Sequence, residues 1–422
     1  MARYPRAARP ASAHRAPADR GPATPRPIER LEIERLVAGG DGLARQADGR
    51  IVFVPGALQG EVVDVRVLHA KRDFARAELV DVVEPSPHRV VPPCPALARG
   101  CGGCDWQHLT PQAQLDAKVE IVREAMRRTA HLPDAVVVAG AAVDAWAYRT
   151  SMRFSVDAQG RASLRRARTN DDIALDSCPV AHPALAELLS SLRLPGADEV
   201  SLRVSAASGE RTAWWSPEHV VAAGLPDDVA VGEDASLVER IAGASLRVTA
   251  SSFFQSGPEA AEALVAAVRA AGGDELRGAR HVVDAYGGVG LFAATVVPHD
   301  AHVVLVEGSP SACADARVNL AGRSAEVVES AVEQWATGVA GASSADVVVA
   351  DPSRQGLGPE AVDALVGCSA GVLVLVSCDP VAMARDAALL HRVGYRHAGT
   401  TVLDLFPQTH HVEAVTRFER GR

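Results

Sequence analysis

Cys378 is the first residue in this chain whose surroundings point to chemistry. It follows an apolar, β-branched run, Val372-Leu-Val-Leu-Val376, which reads as a strand covered on both faces. Pro380 and the alanine-rich stretch behind it then open a helix. A cysteine placed there ends a parallel strand at its carboxyl tip, where open α/β sheets hold their ligands. The amino end of the following helix is expected to favour the thiolate, the nucleophilic form. A buried structural cysteine fits this stretch equally well when it is taken alone.

A second group of thiols has a different character. Cys94, Cys101 and Cys104 stand in Cys94-Pro-Ala-Leu-Ala-Arg-Gly-Cys-Gly-Gly-Cys104, with glycines that let the backbone fold tightly around a ligand. Cys178, in Asp176-Ser-Cys-Pro-Val180, can supply a fourth ligand. Four thiolates suit either zinc or an iron–sulfur centre. Zinc ribbons use two Cys-x-x-Cys knuckles, whereas one pair with two distant single partners favours a 4Fe–4S cluster.

Acidic residues mark two further strand ends. His281-Val-Val-Asp-Ala-Tyr-Gly-Gly-Val-Gly290 reads as a strand, a glycine-rich turn and a helix start. The next strand, Ala301 to Glu307, ends in a carboxylate placed where a ribose-binding acid belongs. Asp346-Val-Val-Val-Ala-Asp351-Pro-Ser-Arg354 ends in an acid, a proline and an arginine, which fits a substrate clamp or a helix cap.

These residues need elements to position them. With 422 residues the chain has room for two or three domains. Its carboxyl-terminal part, 246–422, alternates strands and helices, the pattern of a parallel doubly wound sheet. Residues 28–86 carry short glycine-punctuated β runs that predict a small antiparallel barrel. Residues 87–245 hold the cysteines, a helix expected from Pro111 to Ala130 and a hairpin around Gly160. Arg149, Arg153, Arg161, Arg165, Arg166 and Arg168 gather there, and on alternating strand positions some would share an RNA-facing or simply solvated face. Residues 1–27 scatter arginines among alanine and proline, the composition of a disordered basic arm.

Composition narrows the classes. The net charge of -9 gives no global attraction to nucleic acid, so RNA binding would use local basic patches. No apolar run approaches the ~20 residues of a membrane span, and no apolar signal-peptide core follows Met1. A soluble cytoplasmic protein with no membrane partner, working as a monomer, is expected. Seven cysteines in such a chain point to metal or catalysis, not disulfides.

Together the motifs resemble a family. Gly39-Gly-Asp-Gly-Leu-Ala-Arg45, Val52-Phe-Val-Pro-Gly56 and Gly60-Glu61 resemble the TRAM domain, an OB-like RNA-binding module. Asp284-Ala-Tyr-Gly-Gly-Val-Gly290, Asp351-Pro-Ser-Arg-Gln-Gly356, Val376-Ser-Cys-Asp-Pro380 and Phe406-Pro-Gln-Thr-His-His-Val-Glu413 follow the order of the RNA uracil-5-methyltransferase family, with Ser251-Ser-Phe-Phe-Gln255 ahead of them. The four cysteines resemble its iron–sulfur branch, and the TRAM-like start its ribosomal-RNA members.

The resemblance implies a Rossmann-like class I methyltransferase domain, an amino-terminal OB-like barrel and a central α+β iron–sulfur domain. It implies that Gln255, Tyr286, Glu307 and Asp351 contact S-adenosylmethionine, that Cys378 is the nucleophile and that Glu413 is the base. Lys71, Arg72 and Arg76 become phosphate contacts. The substrate it implies is RNA, 23S rRNA first and tRNA as the alternative; a non-catalytic RNA-binding factor would keep the fold without needing Cys378 and Glu413. Uracil carbon 5 is a poor nucleophile until a thiolate adds at carbon 6, and a base must then remove the carbon 5 proton. His410 and His411 adjoin Glu413 and are rivals for that base. Four positions depart from the family pattern: Gly287 for cysteine, Leu291 for asparagine, Ser353 for proline and Asp379 for asparagine.

Overall fold

A computed structural model describes residues 27–338 and 344–421, so the basic arm lies, but for its last residue, outside the described residues. Five strands, β1 (Ile28–Leu36), β2 (Gly42–Arg45), β3 (Ile51–Val54), β4 (Val62–Ala70) and β5 (Phe74–Glu84), close a barrel in the order β1-β2-β3-β5-β4. Alternation turns Ile33, Val52, Val54, Val63, Val65, Ala75 and Ala77 inward to fill it.

A short helix, α1 (Pro95–Ala98), follows, then α2 (Pro111–Arg128) and β6 (Val137–Ala142). Six strands form the middle sheet: β7 (Ser151–Val156), β8 (Ala162–Arg165), β9 (Asp172–Ala174), β10 (Glu199–Val204), β11 (Arg211–Ser216) and β12 (Val229–Val231). The helix α3 (Pro183–Ser191) covers it, and its order is β12-β11-β10-β7-β8-β9. The hairpin β13 (Ser236–Ile241) and β14 (Ala244–Thr249) stands apart as a two-stranded sheet.

After α4 (Pro258–Arg277) the chain alternates: β15 (His281–Ala285), α5 (Leu291–Thr295), β16 (His302–Glu307), α6 (Pro310–Asn319), β17 (Ala325–Glu329), α7 (Val332–Gly338), β18 (Val347–Ala350), α8 (Gly358–Gly367), β19 (Val372–Ser377) and α9 (Pro380–Arg392). Two long strands, β20 (Tyr395–Asp404) and β21 (Glu413–Arg420), complete it. The sheet order is β17-β16-β15-β18-β19-β21-β20-β6. β15 to β19 are parallel as the alternation predicts, but β21 runs antiparallel to both neighbours, so the whole sheet is mixed.

All six residues of β19 are buried. Val372, Val374 and Val376 enter the core on one face and Leu373 and Leu375 the core on the other, which is why the run is apolar throughout. β6 pairs with β20 from within the stretch 87–245, and α2 packs on the same sheet, so that stretch contributes to two bodies. A buried ion pair, Lys118 Nζ to Asp404 Oδ1 at 2.6 Å, fastens α2 to the end of β20. Among the described residues no helix is long and apolar enough to cross a membrane.

Candidate active site

Strand order reverses between β15 and β18, and such a switch point leaves a crevice beyond the carboxyl tips. A cavity of about 700 Å³ lies there. Cys378 reaches it from the end of β19, Asp351 from the end of β18 and Glu307 from the end of β16. Glu413 begins β21, and because Ser377 lies opposite Ala414 its side chain arrives beside that of Cys378. Gln255, Tyr286, Arg354 and His411 complete the reactive wall.

Burial dominates the electrostatics. It pushes the Cys378 thiol up to about 12, with Glu413 and Asp351 adding to the effect against Arg354. This corrects the expected thiolate. The first free N–H groups of α9, on Val381 and Ala382, are taken by the Asp379 carboxylate at 3.0 and 2.7 Å, leaving none for the thiol. Burial also raises Asp351 to about 7. Glu413 is held well above the usual carboxylate range by burial and by Asp351, with Arg354 opposing. His411 is lowered to about 4 by burial, His410 and Arg354, so it is a neutral imidazole at pH 7.

The half of the cavity beside Glu307 is a cradle of backbone and carboxylate. Glu307 accepts from Gly288 N at 3.0 Å and Ser309 N at 2.6 Å, which fixes it while leaving lone pairs for two more donors. Gly288 has φ 54 with open space where a Cβ would project, so a ligand can approach its backbone. Ser251 Oγ, in the cavity wall, is buried without a partner. A ribose-bearing ligand with a polar tail fits these groups. At Gly287, one of the departures from the family pattern, a Cβ would lie 2.5 Å from Leu305 Cγ, so glycine is what this wall admits. Leu291 is buried at the start of α5 and lines the same wall.

Cys94, Cys101, Cys104 and Cys178 come together around a second, smaller cavity of about 80 Å³. All four are free thiols. Their loop is tight: a Cβ at Gly102 would meet the Ala167 backbone at 2.9 Å and one at Gly103 would meet Leu164 Cδ1 at 2.8 Å. Among the described residues no group of three or more His, Cys, Asp or Glu side chains is gathered closely enough to hold a metal ion. The sulfurs ring a space, whereas a single zinc would draw all four to within about 2.3 Å of one point.

Three features escape the sequence reading. Phe253, two residues before Gln255, is 75% exposed yet lines the large cavity, and only its apolar character at an exposed loop could have signalled it. Arg149 is not on an open face: it lines both cavities and lies 5.7 and 5.6 Å from the rings of Tyr148 and Phe406. The other arginines of that group are largely neutralised locally, Arg153 by Glu199, Arg161 by Asp157, Arg165 by Asp172 and Arg168 by Asp41. On the barrel, Lys71 stands over Phe74 and Arg76 over Phe53, while Arg72 projects into solvent. Of the two histidines, His411 faces the cavity and His410 turns to Asp105.

A closed barrel thus accompanies a mixed α/β sheet with a cavity at its switch point. The TRAM domain family matches residues 22–80. The chain is 34% identical to an uncharacterized RNA methyltransferase of Streptomyces avermitilis over 90% of this chain and 95% of that one. It is 30% identical to the 23S rRNA (uracil(1939)-C(5))-methyltransferase RlmD of Shewanella amazonensis over 90% and 93%. In fold it is similar to the Pyrococcus abyssi tRNA (uracil-54, C5)-methyltransferase in complex with S-adenosyl-L-homocysteine, with a TM-score of 0.70, 23% identity and coverage of 92% and 99%. The chain belongs to the RNA uracil-5-methyltransferase family and is an S-adenosylmethionine-dependent RNA methyltransferase.

Proposed function

We propose that this protein methylates carbon 5 of one uridine in 23S rRNA, with Cys378 as nucleophile and Glu413 as base. The observation that carries the reading is the meeting of Cys378 and Glu413 from adjacent antiparallel strand ends in the cavity that Glu307 also lines. The 23S rRNA assignment draws on the relative named for that substrate. The barrel over 28–86 and the cysteine-bearing stretch 87–245 hold RNA, and 246–422 carries out the transfer.

S-adenosylmethionine held by Gln255, Tyr286, Glu307 and Asp351 supplies an electrophilic methyl group, and its cationic sulfur favours the ionised forms of the acids around it. With both acids ionised beside the cationic donor, the Cys378 thiol gives its proton to Asp351 as its sulfur bonds to carbon 6 of the uracil, and Glu413 stays a carboxylate. Ring electrons move to carbon 5 and the carbonyl oxygen, and carbon 5 takes the methyl group as the methyl–sulfur bond breaks and its electron pair stays on the departing S-adenosylhomocysteine. The Glu413 carboxylate then removes the carbon 5 proton, the 5,6 double bond re-forms and the sulfur–carbon bond breaks, returning the thiolate. A thiol that must approach the ring face requires the uridine to leave its stack, and Phe253 offers an exposed ring to the extruded base.

Cys94, Cys101, Cys104 and Cys178 hold a 4Fe–4S cluster with a structural role. The support is their common cavity, which has room for a body larger than one ion.

Mapping 5-methyluridine across total RNA from a deletion strain and its complemented parent tests the function. Loss at one 23S rRNA position, restored by the gene, is the expected result. Loss at a tRNA position would move the substrate, and an unchanged map would remove uridine carbon 5 as the target.

A further inference from the structure

The loop that delivers Glu413, residues 406–412, is shaped by the segment that follows Cys104. Asp105 accepts from the His410 backbone N–H at 3.0 Å, and its other carboxylate oxygen bonds the His410 ring. Trp106 N donates to Gln408 O at 3.0 Å, and Gln408 N donates to Gln114 Oε1 at 2.7 Å. Gln408 needs that grip, because at φ 69 it sits in the left-handed region that a residue with a Cβ avoids. The His410 ring lies against that of His411, tilted by 51° with centroids 4.5 Å apart, and His411 lines the cavity. The barrel closes over the same point: a Cβ at Gly40 would lie 2.8 Å from His410 Cβ and 3.0 Å from Asp105 Oδ2.

We propose that Asp105 is a positioning residue of the methyl-transfer site, holding His410 so that His411 and Glu413 enter the cavity in register. This rests on the role given to Glu413 above. Asp105 touches no reacting atom. Its contribution is geometric, and a misplacement of about 1 Å can cost on the order of 100-fold in rate. The loop after Cys104 is thereby more than a support for the four thiols. It is a template for the catalytic loop.

Steady-state methylation of a substrate RNA by full-length, metal-replete protein tests this. Asp105→Ala is expected to lower kcat about 10- to 100-fold, with KM for RNA, donor affinity and metal content near the parent values. Asp105→Asn keeps an acceptor for His410 N and a polar group for the ring, and should recover most of the rate. His410→Ala, outside the loop that carries the cysteines, should reproduce the loss with native metal content even where Asp105→Ala folds poorly. The double variant should be no slower than either single one, the signature of one coupled unit. Parent-like kcat in His410→Ala, a loss confined to KM, or additive losses in the double variant would each overturn the proposal. A parent protein that places no methyl group on uridine carbon 5 would instead defeat the function, which separates the two failures.

Discussion

Ser377 of β19 lies opposite Ala414 of β21, so Cys378 and Glu413 leave neighbouring strand ends that run in opposite directions. A parallel strand at this place would carry its amino end to the far edge of the sheet. The antiparallel β21 instead brings the start of one strand beside the end of another, and two residues 35 positions apart in the chain share one cavity.

The donor prediction rests on Glu307. Its two oxygens already take Gly288 N and Ser309 N, so it is fixed before any ligand arrives. Glu307→Ala should weaken binding of S-adenosylmethionine by about 1.5–3 kcal/mol, the range for hydrogen bonds to a charged group. Calorimetric titration measures it, and unchanged affinity would reject the assignment.

The Gly287 departure makes a packing prediction. With Leu305 Cγ 2.5 Å from the place of a Cβ, Gly287→Cys should destabilise the protein by about 1–3 kcal/mol through overpacking. Adding Leu305→Val should return part of that loss. Urea unfolding of the two variants decides it; a single variant as stable as the parent would show that the wall yields freely.

Asp351 links function to stability. Burial raises its carboxyl from 3.8 to about 7, so the folded protein holds the proton over a range in which the unfolded chain has released it. Its stabilising effect is full below pH 4 and is lost as pH rises through 7, where a buried charge must be carried. Asp351→Asn should therefore be more stable than the parent at pH 8 and equal to it below pH 4. Thermal melts across that range would contradict this if the variant were the less stable at pH 8.

The cysteine cavity carries a compositional prediction. Protein purified without oxygen should be brown and hold about four irons per chain. Stoichiometric zinc without iron would replace the cluster with a single-ion site.

Much of this site is legible in the sequence because it sits on strand tips. The apolar runs ending at Glu307, Asp351 and Cys378 announce buried parallel strands, and the residue after such a run must face the crevice. The ionisation of Cys378 is not legible. Helix-end reasoning favours a thiolate, but it overlooks that Asp379 spends its carboxylate on the same N–H groups and that burial, with two carboxyls adding to it, outweighs the rest. β6 is not legible either, since pairing between Val137–Ala142 and β20 joins segments far apart in the chain. The same holds for Asp105 and His410, 305 residues apart and joined only by the fold.

The most direct test of the central claim is where the reaction stops in Glu413→Gln. Glutamine cannot take the carbon 5 proton, so thiolate addition and methyl transfer should proceed and elimination should fail. A denaturing gel of this variant with substrate RNA and S-adenosylmethionine should show a slow protein–RNA band, absent when Cys378→Ala is added. Release of methylated RNA by Glu413→Gln at near-parent rate, with no such band, would contradict Glu413 as the base, and trapping by His411→Ala instead would pass that role to the neighbouring imidazole.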